Sequence, residues 1–289
     1  MGHVFFFTGN FVKVFPLIIA LCSSALANSA EQKIDFPQVE NNVGFDQIQT
    51  LKFLSEDHLL AYGEDSFQFG KLYLPTNTKP SYPLIVFIHG GCWLNSFDMS
   101  HTYPFLTGLV QEGIAVWSLE YRRTGDIGGG WPGTYQDIKA GIDYVGSLDR
   151  YDIDTENFLI AGHSAGGHLA LLAGTETPSA RGVIAIAPIT NIITYSQGTN
   201  TCQEATSQFM GSNYDDNELG YHQANPAEKA PHSNTVIFHG SLDEIVTIEQ
   251  SRLPGATTKL EEGAGHFDWI HPGTNGFKRI VKTALGLMK

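Results

Sequence analysis

Gly162-His163-Ser164-Ala165-Gly166 sets a serine between two glycines in a G-x-S-x-G arrangement. Asn157–Ala161 before it reads as a strand, and Ala165–Ala173 after it as an alanine- and leucine-rich helix. That context predicts a tight strand-to-helix turn with Ser164 at its tip. The helix N-terminus beneath supplies backbone N–H groups and the positive end of a dipole. A serine hydroxyl is a weak nucleophile and needs a base. Asp243 follows the apolar run Thr235–Phe238, and His266 sits in Gly263-Ala264-Gly265-His266-Phe267 after the strand-like Thr257–Leu260. Both therefore fall at carboxyl ends of late strands, where α/β sheets place their chemistry. Serine, acid and histidine in that chain order predict acyl transfer, with His266 as base and Asp243 as its orienting acid. Glu244 is the rival acid, and His239 and His271 are the rival bases. His239 ends an apolar strand and reads as structural, while Asp268 stands too near His266 in sequence to be its partner.

Acyl transfer builds negative charge on a carbonyl oxygen, which needs preorganised donors. His89-Gly90-Gly91-Cys92-Trp93 follows the apolar run Leu84–Ile88. Gly91 and Cys92 are the expected loop donors, and the Ala165 N–H completes the oxyanion hole. His89 and Gly90 support the loop. Trp93 either packs that loop or walls the substrate pocket, and Trp131, in the loop Gly125–Pro132, is placed in the cleft wall with it. Cys92 has no base placed to make it a nucleophile. Glu120 and Arg122 read as a structural ion pair. Gly128-Gly129-Gly130 is not followed by Gly-Lys-Ser/Thr, so a nucleotide cradle is not expected. No CxxC or His/Cys cluster points to a metal, and no cofactor is implied.

These side chains need a rigid frame. Phe67–Leu74 alternates at period two, as a half-buried strand does. Leu84–Ile88, Ile114–Leu119, Phe158–Ala161, Val183–Ala187 and Val236–Phe238 are continuous apolar runs, the mark of strands buried on both faces. Helix-length segments lie between them at Tyr103–Glu112, Thr134–Leu148 and Ala165–Ala173, and another closes the chain at Asn275–Leu287. The alternation predicts an α/β fold with a mostly parallel sheet and helices on both faces. Residues 190–234 break it with a long polar stretch, expected to form a lid over the site.

His-Gly-Gly-x-Trp at 89–93, Gly-His-Ser-Ala-Gly-Gly at 162–167, Asp243 and His266 together resemble the α/β-hydrolase superfamily. Within it they look like the esterase and arylformamidase-like branch, near carboxylesterases of the hormone-sensitive-lipase type. The resemblance covers residues 50–289 and is specific for mechanism but weak for substrate. It implies an α/β-hydrolase catalytic domain with a small lid insert after the sixth strand. It also implies a small-molecule carboxylic ester as substrate, cleaved through an acyl-enzyme. An arylformamidase of the N-formylkynurenine type and a prolyl-oligopeptidase-like peptidase are the alternatives within hydrolases; an inert binding module is the alternative outside them. Cys92 departs from the pattern, which commonly has an aromatic or small residue there. No long cap like that of many hormone-sensitive-lipase-type enzymes precedes the motifs, so a lid is expected from 190–234.

Met1–Ala27 holds no acid and one basic residue, Lys13, followed by the apolar run Val14–Leu21 and by Ala25-Leu26-Ala27. The run is too short to span a bilayer, which takes ~20 apolar residues. Together they predict a signal peptide at 1–27 cleaved near Ala27, a leading arm over 28–49, an exported (periplasmic or secreted) enzyme, and no stable membrane insertion afterwards. The whole chain carries 17 basic and 30 acidic residues, net −13, and only 16% of its residues are charged. Cleavage would remove Lys13 alone among the charges, leaving a net −14. With no basic cluster, nucleic acid is excluded as a partner, and the protein is expected to be a monomer or homodimer. Two cysteines remain after cleavage, Cys92 and Cys202. Their pairing would tie the oxyanion loop to the lid; the sequence leaves it open.

Overall fold

Apolar runs too short to be helices pair edge to edge in the computed structural model, which describes residues 1–3, 33–76 and 81–289. The expected signal segment and its cleavage point lie outside the described residues, apart from Met1–His3. Lys33–Lys289 forms one unit. Its strands are β1 (His58–Ala61), β2 (Phe69–Tyr73), β3 (Tyr82–Ile88), β4 (Ala115–Leu119), β5 (Ile153–His163), β6 (Gly182–Ile186), β7 (Thr235–Gly240) and β8 (Thr257–Glu261). They make one sheet in the order β1-β2-β4-β3-β5-β6-β7-β8. β1 and β2 run antiparallel at one edge, and every pairing from β4 onward is parallel.

The helices are α1 (Phe45–Gln49), α2 (Tyr103–Gln111), α3 (Gly133–Asp143), α4 (Ala165–Glu176), α5 (Ile192–Tyr195), α6 (Thr201–Met210), α7 (Glu218–Gln223) and α8 (Asn275–Leu287). β3 shows why both sheet faces must be covered. Leu84, Val86 and Ile88 join a core with Ile138 of α3 and Leu169 of α4, whereas Ile85 and Phe87 join a second core with Leu106 of α2 and Ile280 of α8. Successive side chains of a strand point to opposite faces, so a strand apolar at every position needs a helix layer on each. This is the expected α/β-hydrolase architecture.

Two elements differ from expectation. β1 escapes the sequence because it has only four residues and alternates half-buried with exposed, a weak signal at a sheet edge. The expected helix over Thr134–Leu148 is α3 followed by a 3-10 turn at Tyr144–Leu148. The polar insert after β6 is anchored in the fold: its α5, α6 and α7 bury Ile192, Tyr195, Phe209 and Tyr221 in the core beside α4. α4 is consequently buried over Ala165–Gly174, between sheet and insert.

His168 of α4 is fully buried, and its Nε2 bonds the Ala224 carbonyl of the insert at 2.7 Å. Burial pushes this imidazole down to about 4, against the modest upward pull of that carbonyl. An unfolded histidine titrates near ~6.5, so between there and about 4 the unfolded chain takes up a proton that native His168 refuses. Stability should therefore fall as pH drops through that window, by on the order of 3 kcal/mol from this residue. Urea-unfolding midpoints followed from about pH 7.5 to about pH 4.5 read the effect. His168→Gln should flatten the decline; the same decline in both proteins would refute the assignment.

Candidate active site

β5 and α4 meet at Ser164 with almost no connecting chain. Ser164 adopts φ +57° and ψ −121°, and its N–H donates to the Ile186 carbonyl of β6 at 2.8 Å. A non-glycine residue held in this region is strained by roughly 1–3 kcal/mol and persists only where its surroundings over-determine it. The flanking glycines are a packing requirement. A Cβ on Gly162 would lie 2.2 Å from the Gly166 carbonyl, and one on Gly166 would lie 2.1 Å from the Ile88 carbonyl. The helix start is thus pressed against the carboxyl end of β3.

Of the rival acids and bases, the structure brings together Asp243 and His266. The His266 Nδ1 donates to the Asp243 Oδ2 at 2.7 Å, and both residues are buried. The other carboxylate oxygen accepts the N–H groups of Ile245 and Val246 at 3.0 and 2.8 Å. Burial alone would raise the Asp243 carboxyl, but the facing His266 and these donors outweigh it and hold the pKa below the ordinary value. Glu244 is exposed. His239 bonds the Val246 carbonyl at 2.8 Å, and His271 accepts the Gly273 N–H at 3.0 Å, so both serve the loops around them. His163, inside the elbow motif, supports His266 from behind. Burial drives its imidazole far down, so it is neutral, and its Nε2–H donates to the His266 carbonyl at 3.0 Å.

Asp268 has a role that sequence reasoning missed. Its buried carboxylate accepts N–H groups from Asn42, Val43 and Gly265 at 2.8, 3.0 and 2.9 Å. One side chain thereby staples the N-terminal arm to the loop that carries His266. The arm then places Phe45 of α1 in the cleft. No local pattern could have signalled this, because the two partners are more than 220 residues apart.

The loop after β3 holds three successive residues at positive φ: Gly91 (+110°), Cys92 (+53°) and Trp93 (+60°). A buried polar network fixes it. His89 reaches the Gly90 carbonyl through Nδ1 at 2.7 Å and Glu120 through Nε2 at 3.0 Å. Its ring stacks on Tyr121, whose hydroxyl donates to the His89 carbonyl at 2.8 Å. Burial would raise the Glu120 carboxyl, but His89 and Arg123 outweigh it and lower its pKa. The expected Glu120–Arg122 pair is therefore corrected. The chain leaves β4 at Leu119, after which Arg123 lies 3.6 Å from Glu120 while Arg122 grips buried Asp137 of α3 with two nitrogens. The two tryptophans placed in the substrate pocket also lie elsewhere. Trp93 is buried and stacks on Phe209 of the insert at 4.8 Å. Trp131 stacks on Tyr135 and meets Phe209 edge-on. Neither lines the cleft, because the insert packs on their rings and draws them into the core.

Cys92 and Cys202 form a disulfide, joining this loop to α6 across 110 residues of sequence. Both sulfur-bearing residues line one cleft of about 250 Å³ together with Gly91, Ser164, His266 and the apolar side chains Phe45, Phe97, Ile245 and Phe267. The insert thus reaches the site through Cys202. Among the described residues no group of three His, Cys, Asp or Glu could hold a metal ion, and no helix is long and apolar enough to cross a membrane.

Comparison with known proteins gives the same frame. The BD-FAE family model matches residues 71–256, more than half of the chain. Esterase LipC of Mycobacterium tuberculosis is 32% identical over 116 residues, covering 39% of this chain and 28% of LipC. A kynurenine formamidase of Meyerozyma guilliermondii is 29% identical over 133 residues, covering 43% of this chain and 48% of that protein. The chain thus spans less than half the length of either relative. A truncated carbohydrate esterase from gut microbiota superposes with a TM-score of 0.69 at 21% identity, covering 88% of this chain and 99% of that one. At that identity the superposition bears on the fold.

The disulfide makes a measurable stability claim. Closing a loop of this size removes about 4–5 kcal/mol of denatured-state entropy in the chain-entropy picture. Reduction, or Cys202→Ser, should lower the melting temperature by on the order of 10 °C. Differential scanning calorimetry with and without reductant checks this, and an unchanged transition would show that the tie contributes nothing.

Proposed function

The chain belongs to the BD-FAE family, and we propose that it is a serine esterase of the carboxylesterase type that hydrolyses a small carboxylic ester through an acyl-enzyme. The observation that carries this reading is the 2.7 Å Asp243–His266 bond in a cleft that Ser164 also lines from its strained turn. With Nδ1 donating to Asp243, the Nε2 of His266 is left as the acceptor for the Ser164 proton. The Ser164 oxygen attacks the ester carbonyl carbon, and the carbonyl π electrons move to oxygen. That oxyanion rests on the N–H groups of Gly91, Cys92 and Ala165, the oxyanion hole of this mechanism. Collapse breaks the bond to the alcohol oxygen, which takes the proton from His266 and leaves. Water repeats the sequence in the second half, giving its proton to His266 and releasing the acid and free Ser164.

Fluorophosphonate should label Ser164 in the wild type and fail to label Ser164→Ala. The same substitution should cost on the order of 10⁴-fold or more in kcat on p-nitrophenyl acetate. Hydrolysis persisting in Ser164→Ala would overturn the assignment. A parallel panel with an aryl formamide and a peptide separates ester cleavage from the formamidase and peptidase alternatives.

We further propose that the protein is exported. The support is the charge pattern of Met1–Ala27 together with a Cys92–Cys202 disulfide, a bond that persists in oxidising compartments. Intact-mass analysis of protein from a secreting host should give a chain beginning at Asn28. A retained Met1 in that host would overturn this.

A further inference from the structure

The cleft beside Ser164 has one polar side chain with no part in the proposed mechanism or its supports. His101 lies on the turn Met99–Thr102 and is 8% exposed. Its Nδ1 is 2.8 Å from the Asp98 carbonyl. A carbonyl only accepts, so Nδ1 carries the hydrogen. The ring is fixed between aromatic neighbours, 5.9 Å from Phe45 and 6.2 Å from His89 between ring centres. Burial, with the charge of His89 adding to it, pushes this imidazole down to about 4. The ring is therefore neutral in ordinary buffers, and its Nε2 is an acceptor without a proton. That Nε2 finds no hydrogen-bond partner among the described residues.

Position gives this acceptor its meaning. His101 lines the cleft that holds Ser164 and His266, where the remaining wall is Phe45, Phe97, Ile245 and Phe267. It also lines an adjoining polar cleft of about 400 Å³ with Gln49, Asn95, Ser96 and Ser100. Nε2 is open to solvent in the cleft, so a ligand that displaces water from it keeps the acceptor satisfied only by donating to it. An analogue lacking the donor leaves it unpaired, which is how a site discriminates between two ligands of one shape.

We propose that His101 determines specificity, its Nε2 accepting a hydrogen bond from a hydroxyl group on the substrate, so that hydroxylated esters are preferred over their unhydroxylated counterparts. This rests on the serine-esterase reading of the same cleft. The rotationally fixed ring makes it a selector for a hydroxyl close to the scissile ester, on either the acyl or the alcohol side.

Two matched ester pairs test it. p-Nitrophenyl 3-hydroxybutyrate against p-nitrophenyl butyrate probes the acyl side, and 2-hydroxyethyl butyrate against propyl butyrate the alcohol side. The wild type should favour the hydroxylated member of at least one pair by about tenfold in kcat/KM, the size of one net hydrogen bond. His101→Phe keeps an aromatic ring against Phe45 but removes the acceptor, and it should bring that ratio close to one. His101→Leu should do the same, and either variant suffices if the other fails to fold. Because the readout is a ratio within one enzyme, a general loss of activity does not mimic it. Wild-type ratios near one in both pairs would overturn the inference, as would a preference that survives in the variants. Absence of hydrolysis of all four esters would instead overturn the esterase reading itself.

Discussion

The backbone of Ser164 is the constraint on which the rest of the site depends. A left-handed φ at a serine is unfavourable, and nothing local in the sequence stabilises it. It is held because β5 before it and α4 after it are both locked into the core, and because glycines at 162 and 166 let backbone touch backbone. Any side chain at Gly166 would push α4 away from the carboxyl end of β3. The loop of expected oxyanion donors begins at that same strand end. The Ser164 turn and the glycine loop are thus parts of one close-packed junction.

The other groups are brought in by long-range ties, each with a different chemistry. A charge-assisted hydrogen bond joins the β7 loop to the β8 loop through Asp243 and His266. A second carboxylate, Asp268, joins the β8 loop to the N-terminal arm through three backbone donors. His163 bonds the His266 carbonyl and so ties the elbow to that loop. The disulfide fastens the donor loop to the insert. Six segments distant in sequence are thereby held around one small cleft. Preorganisation of this sort spares the reorganisation that a solvent-exposed site would undergo as charge develops.

Polar groups in and under the cleft are arranged by burial. Asp243 and Glu120 stay ionised because each faces a histidine and further donors that outweigh desolvation. His163 and His168 have no such counter-charge, and at His101 the pull of Asp98 is weaker than burial, so all three are held neutral. Desolvation disfavours the charged form unless an opposite charge or donors stand close by. The same physics therefore gives buried anions in one place and neutral imidazoles in another.

Much of this could be read from the chain. Continuous apolar runs gave the parallel strands, because a strand covered on both faces admits no polar position. The elbow and the glycine loop were legible for a related reason: tight turns and close backbone approach restrict residue type locally, so they leave motifs. Asp243 could be chosen over Glu244 because it sits nearer the strand end, and the structure buries it there while Glu244 faces solvent. The lining of the cleft was not legible. Trp131 was placed in the pocket wall and Trp93 either there or in the loop packing, yet Phe209, from an insert that reads as polar, stacks on Trp93 and meets Trp131 edge-on. Phe45, Asp268 and the Cys92–Cys202 bond also acquire their roles only through partners far along the chain. The sequence by itself determined the backbone frame and the chemistry it presents, since both are enforced by local sterics and the periodicity of burial. Which side chains wall the cleft was decided only by tertiary packing, because contact between residues 100 or more positions apart depends on how the layers close and leaves no periodic trace.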